Sequence, residues 1–322
     1  MFSVILLKLL AIMGVVVIGY VVGRKGWLGH NDPARVLGYA AFYIFVPALL
    51  FRTTSRIEFA SMPWGTLAAF FVPVVALMLS VYAWQRSQGG LPVAAPSVRA
   101  ITATFGNTVQ LGIPMAVAMF GEAGLSIHVT IVSLHALTLL TVLTALVEMD
   151  LARERARLGD ADAHVGRMLM DTARKTIIHP VVLPILAGLA WNALGAPTPE
   201  VVDEMLVQLG QAVVPMCLVL IGLSLAQYGL KAAARGAITL SLLKLVLLPA
   251  VVLVVGHWGF GLSGLALSVV VMAAALPVGN NALIFAQRYE VQEAESTAAI
   301  ALSTFAFALT APAWLWVVSQ LR

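Results

Sequence analysis

Apolar runs of about 20 residues, each long enough to cross a bilayer as a helix, follow one another along almost the whole chain. Ten such spans are predicted, with approximate limits 2–22, 34–52, 63–84, 97–120, 123–148, 177–195, 202–228, 236–256, 262–288 and 294–320. One sizeable hydrophilic stretch, Asp150 to Thr176, divides five spans from five. The expected organisation is a five-span unit over 1–149, a solvated and partly helical connector over 150–176, and a second five-span unit over 177–322. An odd number of spans per unit sets the two in opposite orientations, so a structural repeat between them would be inverted. The predicted fold class is therefore an all-α polytopic membrane protein with two inverted five-helix repeats.

Two spans carry polar interruptions at matched places. The fourth contains Gly106-Asn107-Thr108-Val109-Gln110-Leu111-Gly112-Ile113-Pro114, and the ninth contains Pro277-Val278-Gly279-Asn280-Asn281. Pro114 has no amide hydrogen, and its ring clashes with the carbonyl four residues earlier, that of Gln110. Gly106 and Gly112 let the backbone leave helical geometry cheaply. The fourth span is thus expected to be two half-helices, the second beginning near Leu111 to Pro114, and the ninth is expected to break in the same way around Pro277. Lipid cannot satisfy the freed backbone groups, so they must face protein, water or a bound solute. Paired breaks of this kind point to the binding site of a secondary transporter. Half-helix N-termini attract anions, Asn107, Gln110, Asn280 and Asn281 supply amides, and Thr108 supplies a hydroxyl. The unwound carbonyls could instead, or in addition, coordinate a small cation. Two proline positions also correspond between the units, Val46-Pro47 in the second span and Val214-Pro215 in the seventh. These are expected to shape a scaffold or a cavity wall.

Composition agrees with immersion in lipid: 61% of residues are hydrophobic and 11% charged, far from soluble averages. The net charge of +4 does not indicate nucleic-acid binding here, because basic excess in membrane proteins reflects inner loops. With the N-terminus outside, the inner loops collect fourteen Lys and Arg residues and the outer side three. Both termini outside, the central connector inside and residence in the cell's inner membrane are expected. The first apolar run lacks a basic leader and is followed by Arg24 and Lys25, the pattern of a retained span. The single cysteine, Cys217, lies in an apolar segment and excludes a disulfide framework.

Few other polar side chains fall within spans. His135, midway along the fifth, could bind substrate or exchange a proton, or simply bond a neighbouring helix. Lys244 and Lys8 lie about two turns inside their spans and could act at a site or snorkel to an interface. Arg52 and Arg56, at the outer end of the second span, could draw anions or serve as solvated anchors. No carboxylate lies deep in a span, so a mid-membrane acidic relay is not expected. Motifs for metalloprotease, serine hydrolase or nucleotide-binding chemistry are absent, and no catalytic residue, metal or cofactor is expected beyond a coupling H+ or Na+.

The run GNTVQLGIP followed by Phe120-Gly121-Glu122-Ala123-Gly124-Leu125 resembles the auxin efflux carrier family. The stretch from Leu276 through Ala282 into Phe285-Ala286-Gln287-Arg288-Tyr289 looks like that family's second crossover. The resemblance implies a scaffold of spans one, two, six and seven, with the other six forming a moving transport domain. It implies a substrate site at the crossed broken helices, elevator-like displacement, and a homodimer. It places Asn107, Pro114 and Pro277 in the crossover motifs, and sets His135 where plant members carry a glutamine. Malonate- or malate-like dicarboxylates are the first expected substrates, with His135 or Lys244 as candidates for the second carboxylate. An aromatic or aliphatic monocarboxylate is the alternative, and an anion sensor that transports nothing is a third reading.

Overall fold

The computed structural model describes residues 2–29, 32–56, 63–157, 182–228 and 234–321, together with positions 174, 178 and 180. Most of the central connector lies outside this set. The described chain is helical, apart from turns and a single isolated bridge between Gly106 and Val278. In chain order the helices are α1 (Phe2–Lys25), α2 (Pro33–Thr54), α3 (Trp64–Ser87), α4 (Ala95–Thr104), α5 (Ile113–Arg157) and α6 (Val182–Ala193). They continue as α7 (Glu200–Tyr228), α8 (Arg235–Gly259), α9 (Gly264–Ala275), α10 (Asn281–Tyr289) and α11 (Glu293–Ser319). Six helices among the described residues are long and apolar enough to cross a membrane: α2, α3, the Met119–Arg157 part of α5, α7, α8 and α11. Large apolar side chains such as Ile44, Val72, Leu242, Val254 and Leu309 are exposed on these helices, as expected of surfaces solvated by lipid rather than water.

Proline placement explains much of the local geometry. Three π-helical turns, Ala41–Phe45, Thr108–Gly112 and Leu243–Leu247, each end two residues before a proline: Pro47, Pro114 and Pro249. Widening the turn to i→i+5 bonding moves aside the carbonyl that the proline ring would strike. Pro73, Pro215 and Pro312 lie inside α-helix instead. Gly121, at φ 63° and ψ −160°, breaks α5 between the second half of the fourth span and the fifth. Beyond the expected limit at 148, α5 runs on to Arg157. Asp150 is buried there, paired with Arg86 and accepting a 2.6 Å bond from the Tyr82 hydroxyl.

Packing falls into two neighbourhoods. In one, α1 lies along α7 and α2 packs on both α6 and α7. The α1–α7 contact is backbone-close: a Cβ at Gly222 would meet Val16 O and Tyr20 N, and one at Gly19 would meet the Val219 carbonyl. Gly19 and Gly23 on α1 face Gly222 and Ala226 on α7, a small-xxx-small pairing of the kind that lets membrane helices approach. Gly188 of α6 gives the same clearance to Thr54 and Phe51 of α2, and Asn192 donates to the Ser55 carbonyl at 2.9 Å. In the other neighbourhood, α3, α4, α8, α9 and α11 pack on one another, with α5 against α4 and α9, and α10 against α4 and α11; the two neighbourhoods meet where α10 packs on α2, α11 on α7, and α5 on α2 and α6.

Candidate functional site

The two interrupted segments meet. Phe105 leaves α4 in extended geometry, at φ −77° and ψ 113°, and Leu276 leaves α9 at φ −55° and ψ 146°. The residue before a proline is pushed toward this region, and Pro277 follows Leu276. The extended pieces pair as one antiparallel bridge: Asn107 N donates to Pro277 O and Gly279 N to Phe105 O, both at 2.8 Å. Val278 N is satisfied by the Ser303 hydroxyl at 3.0 Å. The interruption in the fourth span is shorter than expected. Helical geometry resumes at Thr108 through the π turn, with Gly112 N bonded to Asn107 O at 3.1 Å, rather than near Leu111 to Pro114.

Gly106 lies where the backbone leaves helical geometry, and at Gly112 and Gly279 glycine provides clearance. None of Gly106, Gly112 and Gly279 has a positive φ. Gly279 is needed for clearance, since a Cβ there would lie 2.7 Å from Gly106 O and 2.9 Å from a ring carbon of Phe105. Gly112 makes room for the His128 ring and for Leu276, whose Cδ1 would lie 2.8 Å from an added Cβ. Gly106 is roomier, with nothing nearer than 3.5 Å.

Polar groups behind the bridge hold it in place. The Lys244 side chain is fully buried, and its Nζ donates to Ala274 O at 2.5 Å, in the last turn of α9. The Nζ donor there meets one of the last carbonyls of a half-helix, which lack intrahelical partners. His128 Nε2 donates to Thr108 O at 2.8 Å, fixing the start of the Thr108–Gly112 π turn. His128 and Ser303 were not singled out from sequence. A signal for His128 existed in its position seven residues before His135, two turns away on the same helix.

On the side facing α2 and α7, the crossover floors a cavity of about 380 Å³, within the range of small-molecule sites. Gly106, Asn107, Thr108, Gly279, Asn280 and Asn281 line it, as does His135. Asn107, Thr108 and Asn280 are buried, at 7%, 5% and 8% exposure. The His135 ring lies 4.3 Å from Phe105 and 6.0 Å from Phe70 between ring centres, and its Nδ1 has no hydrogen-bond partner among the described residues. The remaining wall is largely aliphatic, from α2, α5 and α7. Among the described residues, Gly112, Pro277 and Lys244 do not line the cavity. Pro47 and Pro215 do not either; their neighbours Val46 and Val213 do, while Pro215 faces outward, exposed. The side chains of Gln110, Pro114 and Lys8 lie outside those described. Arg52 and Thr53 reach the wall from the far end of α2. Among the described residues no cluster of His, Cys, Asp or Glu could hold a metal ion.

Comparison with known proteins finds membrane transporters. The family model described as "Membrane transport protein" matches residues 4–315. A Rhizobium meliloti protein named "Putative malonate transporter" is 24% identical over 316 residues, covering 96% of this chain and 94% of its own. Auxin efflux carrier component 8 of Arabidopsis thaliana is 26% identical over 264 residues, 69% of this chain and 71% of that protein. The uncharacterized transporter YfdV of Escherichia coli K12 is 24% identical over 319 residues, 96% of each chain. With its polar crossover and its match from end to end, this chain belongs to the membrane transport protein family that includes the auxin efflux carriers.

Proposed function

We propose that this chain is a secondary carrier, not an enzyme, moving a small organic anion across the inner membrane, with a malonate- or malate-like dicarboxylate as the favoured cargo. One observation carries the reading: the bridged crossover presents Asn107, Thr108 and Asn280 to a cavity with an otherwise mostly aliphatic wall. Amide and hydroxyl donors at half-helix ends hold a carboxylate without a fixed charge buried opposite it. The relative named for malonate supports the choice of cargo.

In the same proposal the chain has ten spans in two inverted five-helix repeats, with both termini outside and the connector in the cytoplasm, and works as a homodimer. The helices α1, α2, α6 and α7 act as scaffold while the rest slide past them as an elevator. The two packing neighbourhoods support this division. So does the arrangement along α2, whose 22 residues extend about 33 Å at 1.5 Å per residue. At its start, Arg35 pairs with Glu290 and Glu293, and Tyr39 donates to Glu290 at 3.2 Å. At its other end lies the cavity wall. A carrier tied shut on one side and hollow on the other is arranged for alternating access.

The aliphatic wall, with Leu49, Leu50 and Val132 beside the Phe105 ring, favours a second reading, an auxin-like or aliphatic monocarboxylate. Counterflow in proteoliposomes tests the proposal: labelled malonate should exchange against unlabelled malonate. Binding without exchange would mean an anion sensor, and exchange of monocarboxylates alone would favour the second reading.

A further inference from the structure

We infer that Arg52 is the residue that selects cargo by charge, taking the second carboxylate of a dianion whose first carboxylate sits at the crossover. The inference rests on the organic-anion reading above and adds the residue that decides between its two substrate classes. Sequence offered His135 and Lys244 for the second carboxylate, and the geometry favours neither. Lys244 is fully buried behind the bridge with its Nζ bonded to Ala274 O; it lies beside Gly106 but does not itself line the cavity. His135 lies in the wall, packed against the rings of Phe70 and Phe105, and its unpartnered Nδ1 can make one hydrogen bond where a guanidinium edge makes two.

Arg52 lines the same cavity as Asn107, Thr108 and Asn280, and is the one guanidinium among its described lining residues. Its side chain is held rather than loose. Nε donates to Asp203 Oδ1 at 2.9 Å and Nη2 to Asp203 Oδ2 at 3.4 Å, a side-on fork. That fork uses one edge of a planar group with five N–H donors. Nη1 makes no hydrogen bond among the described residues, so the Nη1–Nη2 edge remains for a second, bidentate carboxylate. Asp203 also pairs with Arg56. Two guanidinium groups thus share one carboxylate. Asp203 fixes the orientation of Arg52 while leaving its other edge for a ligand. A pre-oriented arginine loses less rotamer freedom on binding than a mobile one.

The experiment compares malonate with monomethyl malonate, which has nearly the same skeleton and one charge fewer. Dissociation constants are measured on the detergent-solubilised full chain and on Arg52→Gln. The parent is expected to prefer malonate by about tenfold or more, and Arg52→Gln to lose malonate affinity by about tenfold to a hundredfold while monoester affinity stays within about twofold. Equal loss for both ligands, or a ratio unchanged from the parent, overturns the role of Arg52 and leaves the organic-anion reading standing. A parent that binds neither compound, nor any other small carboxylate, overturns both. Should Arg52→Gln not fold, Arg52→Lys carries the test, since it keeps the charge but lacks the fork. Its malonate preference should fall by a smaller factor, and an unchanged preference overturns the inference.

Discussion

Replacing Gly279 with alanine puts one methyl group at the tightest approach between the two crossing segments. That carbon would lie 2.7 Å from the Gly106 carbonyl oxygen and 3.0 Å from its carbon, with a Phe105 ring carbon at 2.9 Å. Backbone cannot swing aside as a flexible side chain can, so the segments must separate. Overpacking of this kind costs about 1–3 kcal/mol. Separation also stretches the Gly279 N to Phe105 O bond, and a buried amide left without its partner costs about 1–3 kcal/mol more. The sum is about 2–6 kcal/mol, concentrated at the cavity floor. The matched control is Gly106→Ala, whose methyl meets nothing nearer than 3.5 Å and should cost no more than about 1 kcal/mol. Thermal unfolding in detergent, followed with and without malonate, reads both effects. Gly279→Ala should unfold at lower temperature and lose the malonate-dependent rise in its midpoint, while Gly106→Ala keeps both near the parent. Two variants that behave alike would refute the bridge as the feature that sets the floor.

Further outcomes follow from the same geometry. Asn107→Ala should weaken malonate binding by about tenfold or more with little change in apo stability; unaltered binding would remove Asn107 from the site. Gly222→Leu should prevent close approach of α1 to α7 and sharply lower the yield of folded protein, whereas Gly14→Leu, which meets open space, should be tolerated. Arg35→Ala removes the pairs with Glu290 and Glu293. Counterflow rate should change while malonate affinity stays within about twofold, and an unchanged rate would mean these pairs do not restrain the moving helices.

Legibility in the sequence differed from residue to residue. The places where the fourth and ninth spans break could be read because proline and glycine act through covalent geometry, which needs no tertiary context. The length of the first break could not, because the effect of Pro114 depends on whether the Gln110 carbonyl can be displaced. A π turn displaces it here, and helix resumes at Thr108. The facing of side chains was harder still. In a soluble helix the apolar stripe marks the buried face, but in lipid both faces are apolar, so periodicity does not say where Lys244 or Arg52 points. Lys244 turned behind the bridge, and Arg52 lines the cavity with its guanidinium on Asp203, and neither placement is encoded in local pattern. The outward exposure of Pro215, two residues from the lining Val213 and Cys217, has the same origin. The glycines at 19, 23 and 222 were visible as small residues in apolar runs, but their pairing across α1 and α7 depends on tertiary packing.

The decisive measurement is an experimental map of the full chain in lipid nanodiscs with malonate present. Density for the ligand is expected at the crossover, one carboxylate within hydrogen-bond distance of Asn107 or Asn280 and the other toward Arg52, with the Phe105–Asn107 and Leu276–Gly279 segments still bridged. Continuous helices through residues 105–107 and 276–279, or malonate seated away from the crossover, would contradict this expectation.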